Sequence, residues 1–195
     1  MRYINQKQYP HIPYITRANP EDPKHEHGKT TTISSSGCGL CSAIMVADRL
    51  LPVYNFELED AIALSYAIPA NRKAGTSRDF FPVFAEKLGL KLEQSGNVED
   101  LLHCLRTGGA AIVHVGSKEH GKSGLFTRGG HYMAVINEEP DGRVAILDPS
   151  HTPTKFEEED RKGRVEIVND VIVLCTPEVL NAEIKDDGYF LFWRK

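Results

Sequence analysis

Cys38 stands where a Ser/Gly-rich turn, Ser34-Ser35-Ser36-Gly37, runs into an apolar helical pattern. Leu40, Ala43, Ile44, Ala47, Leu50 and Leu51 recur at helical spacing and predict one buried face. Ser36 and Gly37 are candidates to cap that helix, which puts Cys38 in its first turn. Unsatisfied N–H groups and the helix dipole favour negative charge there, so a thiol loses its proton more easily and becomes a better nucleophile. The plain alternative is a small apolar residue at a helix start, and this stretch alone leaves both open.

A cysteine nucleophile needs an imidazole beside it, a group orienting that imidazole, and donors for the oxyanion. Eight histidines compete for the second role. His131 follows Gly129-Gly130, which allow close approach, and begins an alternating run to Ile136 that predicts a strand as a rigid mount. His103 and His114 fall inside helix and strand patterns, and the other five lie in loops. For the acid, Asp148 ends the apolar run Val144 to Leu147, and Pro149 stops the strand. Pro140-Asp141-Gly142 is a turn signal that predicts a hairpin from these two strands, bringing Asp148 toward His131. Such a carboxylate would fix the tautomer of the imidazole and favour its charged form. By spacing alone, a histidine after two glycines and an Asp-Pro step are also ordinary loop chemistry.

The elements that must hold these residues read as helices first and strands later. After the Cys38 helix, closed by Pro52, Asn55 is the expected cap of a helix over 56–67. Residues 68–75 read as a loop. Thr76-Ser77-Arg78-Asp79 opens a third helix with Phe80, Phe81, Phe84 and Leu88 inward, Pro82 in its first turn and Gly89 as its stop. A short strand at 90–93 and a helix capped by Asn97 follow. Strands are then expected at 110–115, 131–136, 144–147, 165–168, 171–175 and 189–193, the last as a core edge strand. Thr176-Pro177-Glu178 has the form of a helix start. The order predicts an α+β fold, N-terminal helices on a C-terminal antiparallel sheet, in a single domain over 1–195.

Composition narrows the classes. A net charge of -4 with no basic stripe argues against nucleic acid. No apolar run approaches the ~18 residues that span a bilayer, so no membrane insertion is expected. Met1 to Asn5 show no signal-peptide pattern, which reads as cytoplasmic, or as secreted or wall-associated if the domain is excised from a longer protein. Of the four cysteines, Cys104 and Cys175 sit in apolar patterns and are expected to be buried free thiols. His25 and His27 alternate in a charged loop, a weak metal pattern, and no metal or cofactor is expected. The acidic run Glu157 to Asp160 reads as solvated loop.

Four blocks in register from residue 3 to about 150 resemble the C39-like group of papain-like cysteine peptidases, relatives of bacteriocin-processing peptidase domains. They are Tyr3-Ile4-Asn5-Gln6-Lys7-Gln8-Tyr9-Pro10 with Pro13-Tyr14, and Thr32 to Gly39 with Ala43-Ile44-Met45-Val46. The others are Gly75 to Phe81 with Gly89-Leu90, and Phe126 to Tyr132 with Leu147-Asp148-Pro149. The resemblance implies Cys38 as nucleophile, His131 as base, Asp148 as orienting acid and Gln6 as oxyanion-hole side chain, with Gln8 as fallback if the first block is offset. It implies a peptide or peptide-like substrate cleaved through a thioester. Three departures stand out: Cys41 where a hydroxyl residue is expected, a long Asn19–Lys29 segment, and no alignable pattern after about residue 155.

Other chemistries fit parts of the pattern. Cys38-Gly39-Leu40-Cys41 has redox C-x-x-C spacing, although a Ser/Thr loop rather than a buried strand precedes it. Cys41 could instead trap an oxidised Cys38. A non-catalytic peptide-binding domain of the same fold, or an acyltransferase or deamidase using the same thioester, are the remaining alternatives.

Overall fold

A computed structural model describes residues 1–15, 31–72 and 75–195. His25, His27 and the Asn19–Lys29 segment lie outside the described residues. The chain starts extended, with one 3-10 turn at Gln6–Gln8 fixed by the Asn5 side chain, which accepts from Lys7 N at 2.9 Å. Two abutting helices follow, α1 (Ile33–Ser36) and α2 (Cys38–Leu50). The sequence pattern did not anticipate α1. Gly37 joins the two, and a Cβ there would meet the side chain and carbonyl of Ile33 at 2.7 Å, so only glycine lets them abut.

The expected single buried face of α2 is a correction: nearly the whole helix is buried, from Gly39 to Asp48 and again at Leu50. It is the central post of the fold, with the sheet on one side and further elements on the other. The helix α3 (Leu58–Ala67) is one of these. It begins two residues later than expected because Asp60 accepts from Glu57 N at 3.1 Å, making Glu57 and not Asn55 the cap. Phe56 stays outside the helix and packs on Phe84. The expected loop at 68–75 instead holds the paired strands β1 (Asn71–Arg72) and β2 (Gly75–Thr76). A Cβ on Gly39 would meet Thr76 Cβ at 2.8 Å, and one on Gly75 would meet Ser36 O at 2.9 Å. This small hairpin therefore presses directly on the start of α2.

The helix α4 (Phe80–Lys87) stops at Gly89, whose φ of +65° suits glycine. Next come β3 (Leu90–Ser95), α5 (Val98–Arg106), β4 (Ala110–Val115), β5 (His131–Glu138) and β6 (Val144–Leu147). The chain ends with β7 (Glu166–Val168), β8 (Ile172–Cys175), α6 (Pro177–Glu183) and β9 (Ile184–Arg194). The large sheet is antiparallel throughout, in the order β3-β9-β4-β5-β6-β8-β7. β9 is therefore not an edge strand, a second correction: it lies between β3 and β4. Alternate residues face opposite sides. Ile112, Ala134 and Phe190 join the core under α2 and α4, whereas Val113, Val135 and Leu191 join the core under α5 and α6. No helix among the described residues is long and apolar enough to cross a membrane.

One buried carboxylate fixes the loop that leads to His131. Glu183, at the end of α6, accepts from Ser123 Oγ, from Gly124 N at 3.0 Å and from Leu125 N at 3.3 Å. Glu183→Ala strands those donors in a buried site, with an expected loss of about 2–3 kcal/mol. The urea midpoint reads it, and an unchanged midpoint would count against the anchoring role.

Candidate active site

The hairpin does bring His131 to Asp148. β5 and β6 pair through Ala134 and Leu147, His131 starts β5, and Asp148 follows β6 at the same end of the sheet. His131 Nε2 lies 2.8 Å from Asp148 Oδ1. With Nε2 on the acid, Nδ1 is the ring nitrogen left for the thiol, and the Cys38 and His131 side chains lie close enough for each to shift the other's acidity. Cys38 is half-buried at the N-terminus of α2. The Cys38 thiol, the His131 imidazole and the Asp148 carboxylate are thus neighbours at one end of the sheet.

The electrostatics follow from burial and partners. Burial alone would push the Cys38 thiol up, but the hydrogen bond and charge of His131, with the backbone N–H groups of Tyr132 and Gly39, outweigh it and hold the thiol below its ordinary range. Burial would likewise lower His131, but the charge and hydrogen bond of Asp148, then those of Cys38, raise it. Both shifts favour a thiolate beside an imidazolium.

Asp148 is fully buried, and burial would raise its carboxyl. Lys155 and His131 override this and hold it far below the usual carboxylate range. Lys155 is the member of this cluster that the sequence pattern does not reveal. Its side chain is 8% exposed; Nζ pairs with Asp148 Oδ2 and donates to Ser150 Oγ at 2.9 Å. An ammonium only donates, so Ser150 Oγ accepts from it and turns its own proton to Asp148 Oδ1, 3.1 Å away. Ser150 N also donates to Oδ1 at 2.8 Å. The signal available in the sequence was a serine two residues and a lysine seven residues past an Asp-Pro step, which carries no recognisable period.

The N-terminal segment crosses this end of the molecule. Tyr3 Oη donates to Asp148 O at 2.7 Å, Asn5 Nδ2 to His151 O at 2.9 Å, and Gln6 N to Pro149 O at 2.7 Å. Gln6 is buried, its Nε2 donating to Ser34 O at 2.8 Å in the turn just before Cys38. Its Oε1 is buried and has no partner among the described residues. Gln8 is exposed on the same turn, so Gln6 is the glutamine set between the turn before Cys38 and the loop after Asp148. Arg2 clamps this segment to α2, with Nε 2.7 Å from Asp48 Oδ2 and Nη1 2.7 Å from Glu57.

The remaining candidates sit elsewhere. Cys41 is wholly buried, its thiol pushed up by burial and then by the charge of Cys38. Cys104 and Cys175 are buried free thiols, each pushed up to about 12 by burial. His114 has its own acid, with Nδ1 2.8 Å from Asp187, and its ring stacks on Tyr132. The helix carrying Cys38 follows α1 and joins an antiparallel sheet, unlike the buried strand that precedes a thioredoxin-like C-x-x-C helix. Among the described residues no cluster of His, Cys, Asp or Glu could hold a metal ion.

No protein-family model and no curated protein matches the sequence. Solved structures do. The peptidase domain of Streptococcus ComA, described as a bi-functional ABC transporter involved in a quorum-sensing pathway, is 19% identical with a TM-score of 0.53. The match covers 81% of this chain and 91% of that one. A candidate C39-like peptidase from Bacillus anthracis is 10% identical with a TM-score of 0.55, over 100% of this chain and 94% of that one. At these identities the likeness concerns architecture. The chain has the fold of the C39-like, papain-like cysteine peptidases.

Proposed function

We propose that this protein is a cysteine peptidase or amidase that cleaves a peptide amide bond, with Cys38, His131, Asp148 and Gln6 as its machinery. The observation that carries this reading is the buried His131–Asp148 hydrogen bond of 2.8 Å, set beside a Cys38 thiol at a helix N-terminus that the imidazole makes more acidic. The Cys38 thiolate attacks the amide carbon. The oxyanion draws on Cys38 N–H and the second proton of Gln6 Nε2. The His131 imidazolium gives its proton to the departing amine, leaving a thioester and a neutral imidazole. His131 then takes a proton from water, the hydroxide displaces the thiolate, and the acid product leaves. An amine in place of that water would make the same thioester an acyl-transfer intermediate.

The test is the rate of Cys38 alkylation by iodoacetamide against pH. In the native chain reactivity should persist well below pH ~7, and His131→Ala should move the profile up toward the free-thiol value of ~8.5. Peptide cleavage should vanish in Cys38→Ser. If both proteins titrate near ~8.5, no thiolate–imidazolium pair exists and a peptide-binding domain is the better reading.

A further inference from the structure

Beside the candidate active site the surface dips into a bowl of about 290 Å³. Four cationic side chains, Lys7, Arg128, Lys155 and Arg161, line it against one carboxylate, Glu158, with Ser150 and three threonines between them. Arg128 is already engaged: it pairs with Glu158, and its Nη1 lies 2.8 Å from Asp160. Lys155 is matched by Asp148. The four cations therefore face three carboxylates, Asp148, Glu158 and Asp160, leaving one positive charge in excess.

That excess falls on Lys7 and Arg161. Among the described residues Lys7 Nζ reaches only a carbonyl, Ser34 O at 3.1 Å. Arg161 is 4% exposed, and its hydrogen bonds go to carbonyl oxygens, from Nε to Gly124 O and from Nη1 to Lys155 O, both at 3.2 Å. Glu158 stands 3.6 Å from Nη1, and Nη2 has no acceptor among the described residues. A buried guanidinium with a spare donor edge, ringed by hydroxyl groups, has the chemistry of a carboxylate site.

The position of the bowl says which part of a ligand would fill it. Ser150, in its wall, has Oγ 3.1 Å from His131 Nε2, and Lys7 follows Gln6 in sequence. A general acid must reach the departing nitrogen, so the segment after the cleaved bond passes His131. We infer that the bowl takes a carboxylate of the peptide on the leaving-group side of the scissile bond. This rests on the peptidase reading for its chemistry. The carboxylate belongs either to an Asp or Glu side chain or to the free C-terminus of the peptide.

The first arm of the test needs no turnover. The isotope-labelled full chain is titrated with acetyl-alanyl-glutamate amide, with its glutamine counterpart, and with acetyl-alanyl-alanine bearing a free carboxylate. Amide shifts are expected at Thr127, Ser150 and Thr152 with at least one carboxylate probe and not with the glutamine counterpart. The side-chain and terminal probes tell the two sources apart. Lys7→Glu, on an exposed residue, should weaken the response about tenfold. Equal response to the glutamine counterpart, or no response to any probe, overturns the inference.

The second arm digests amidated and free-acid peptide libraries and reads the cut positions by mass spectrometry. Enrichment of acidic residues after the cut, or cutting confined to free-acid ends, supports the bowl. Cutting with neither preference overturns it. Selective carboxylate binding without any cutting supports the bowl and sinks the peptidase reading.

Discussion

Asp148→Asn should cost the fold about 3–5 kcal/mol at neutral pH. The substitution is nearly isosteric, so packing is not the cause. It leaves the Lys155 ammonium buried with its countercharge gone, and an amide N–H₂ placed toward it would repel it further. The folded variant must either hold an unpaired charge out of water or release the proton, and both are unfavourable. The sign of the pH dependence follows. Below ~10.4 the unfolded chain keeps Lys155 protonated while the folded variant resists it, so the unfolded state binds more protons and stability rises with pH. Above that value the penalty fades. Urea unfolding at pH ~7 and ~10.5 would read this, and Asp148→Asn with Lys155→Met should recover part of the loss. A single variant within about 0.5 kcal/mol of the native protein would sink the idea that this pair is an integral part of the core.

Lys155→Met is the complementary change and acts on the chemistry. In the native protein the ammonium shares Asp148 with His131, so part of the carboxylate field is neutralised before it reaches the imidazole. The other titratable and charged groups around this cluster are Cys38 against His131, His114 at longer range, His151 near both Asp148 and Lys155, and Lys7 and Arg161 on the Lys155 side. Removing one positive charge favours the protonated form of every neighbour, and His131, which hydrogen-bonds the same carboxylate, feels it most. The upper edge of the window in which imidazolium and thiolate coexist should move up by about one pH unit. The His131 ring resonance reports it directly, and alkylation of Cys38 reports the thiolate side. Lys155→Arg keeps the charge and should restore the native edge even if it melts lower. An unmoved edge in Lys155→Met would reduce Lys155 to a packing role.

The sequence showed the residues whose neighbours announce them. Cys38 has a turn before it and a helix after it, and His131 and Asp148 sit at the two ends of a hairpin with an obvious turn signal. What local pattern could not show depended on distant chain. Asp48 reads as solvent-facing, yet it is buried because Arg2 reaches it from 46 residues away, and with it the far face of α2 is closed. Lys155 reads as a surface lysine in a Thr/Pro turn, and only the tertiary position of Asp148 gives it a reason to be inside. Gln6 came from resemblance alone, since nothing in its own vicinity demands a buried amide. β9 runs from Ile184 to Arg194, longer than the expected 189–193, and takes in the charged Lys185, Asp186 and Asp187, which carry no apolar strand pattern. Its unbroken Tyr189-Phe190-Leu191-Phe192 run was nonetheless the mark of a strand covered on both faces.

The place of β9 in the sheet has a consequence for timing. Synthesis proceeds from the N-terminus, and β3 and β4 emerge long before residues 184–194 exist to fill the gap between them. Until then both strands show open edges, the Phe81–Phe190 and Phe84–Phe192 contacts are missing, and the helix carrying Cys38 lacks part of the floor it rests on. A ribosome-bound chain thus carries Cys38, His131 and Asp148 without the completed sheet that brings them together. That arrangement is completed only when the closing strand is in place, so the order of synthesis holds back its assembly until residues 184–194 have emerged.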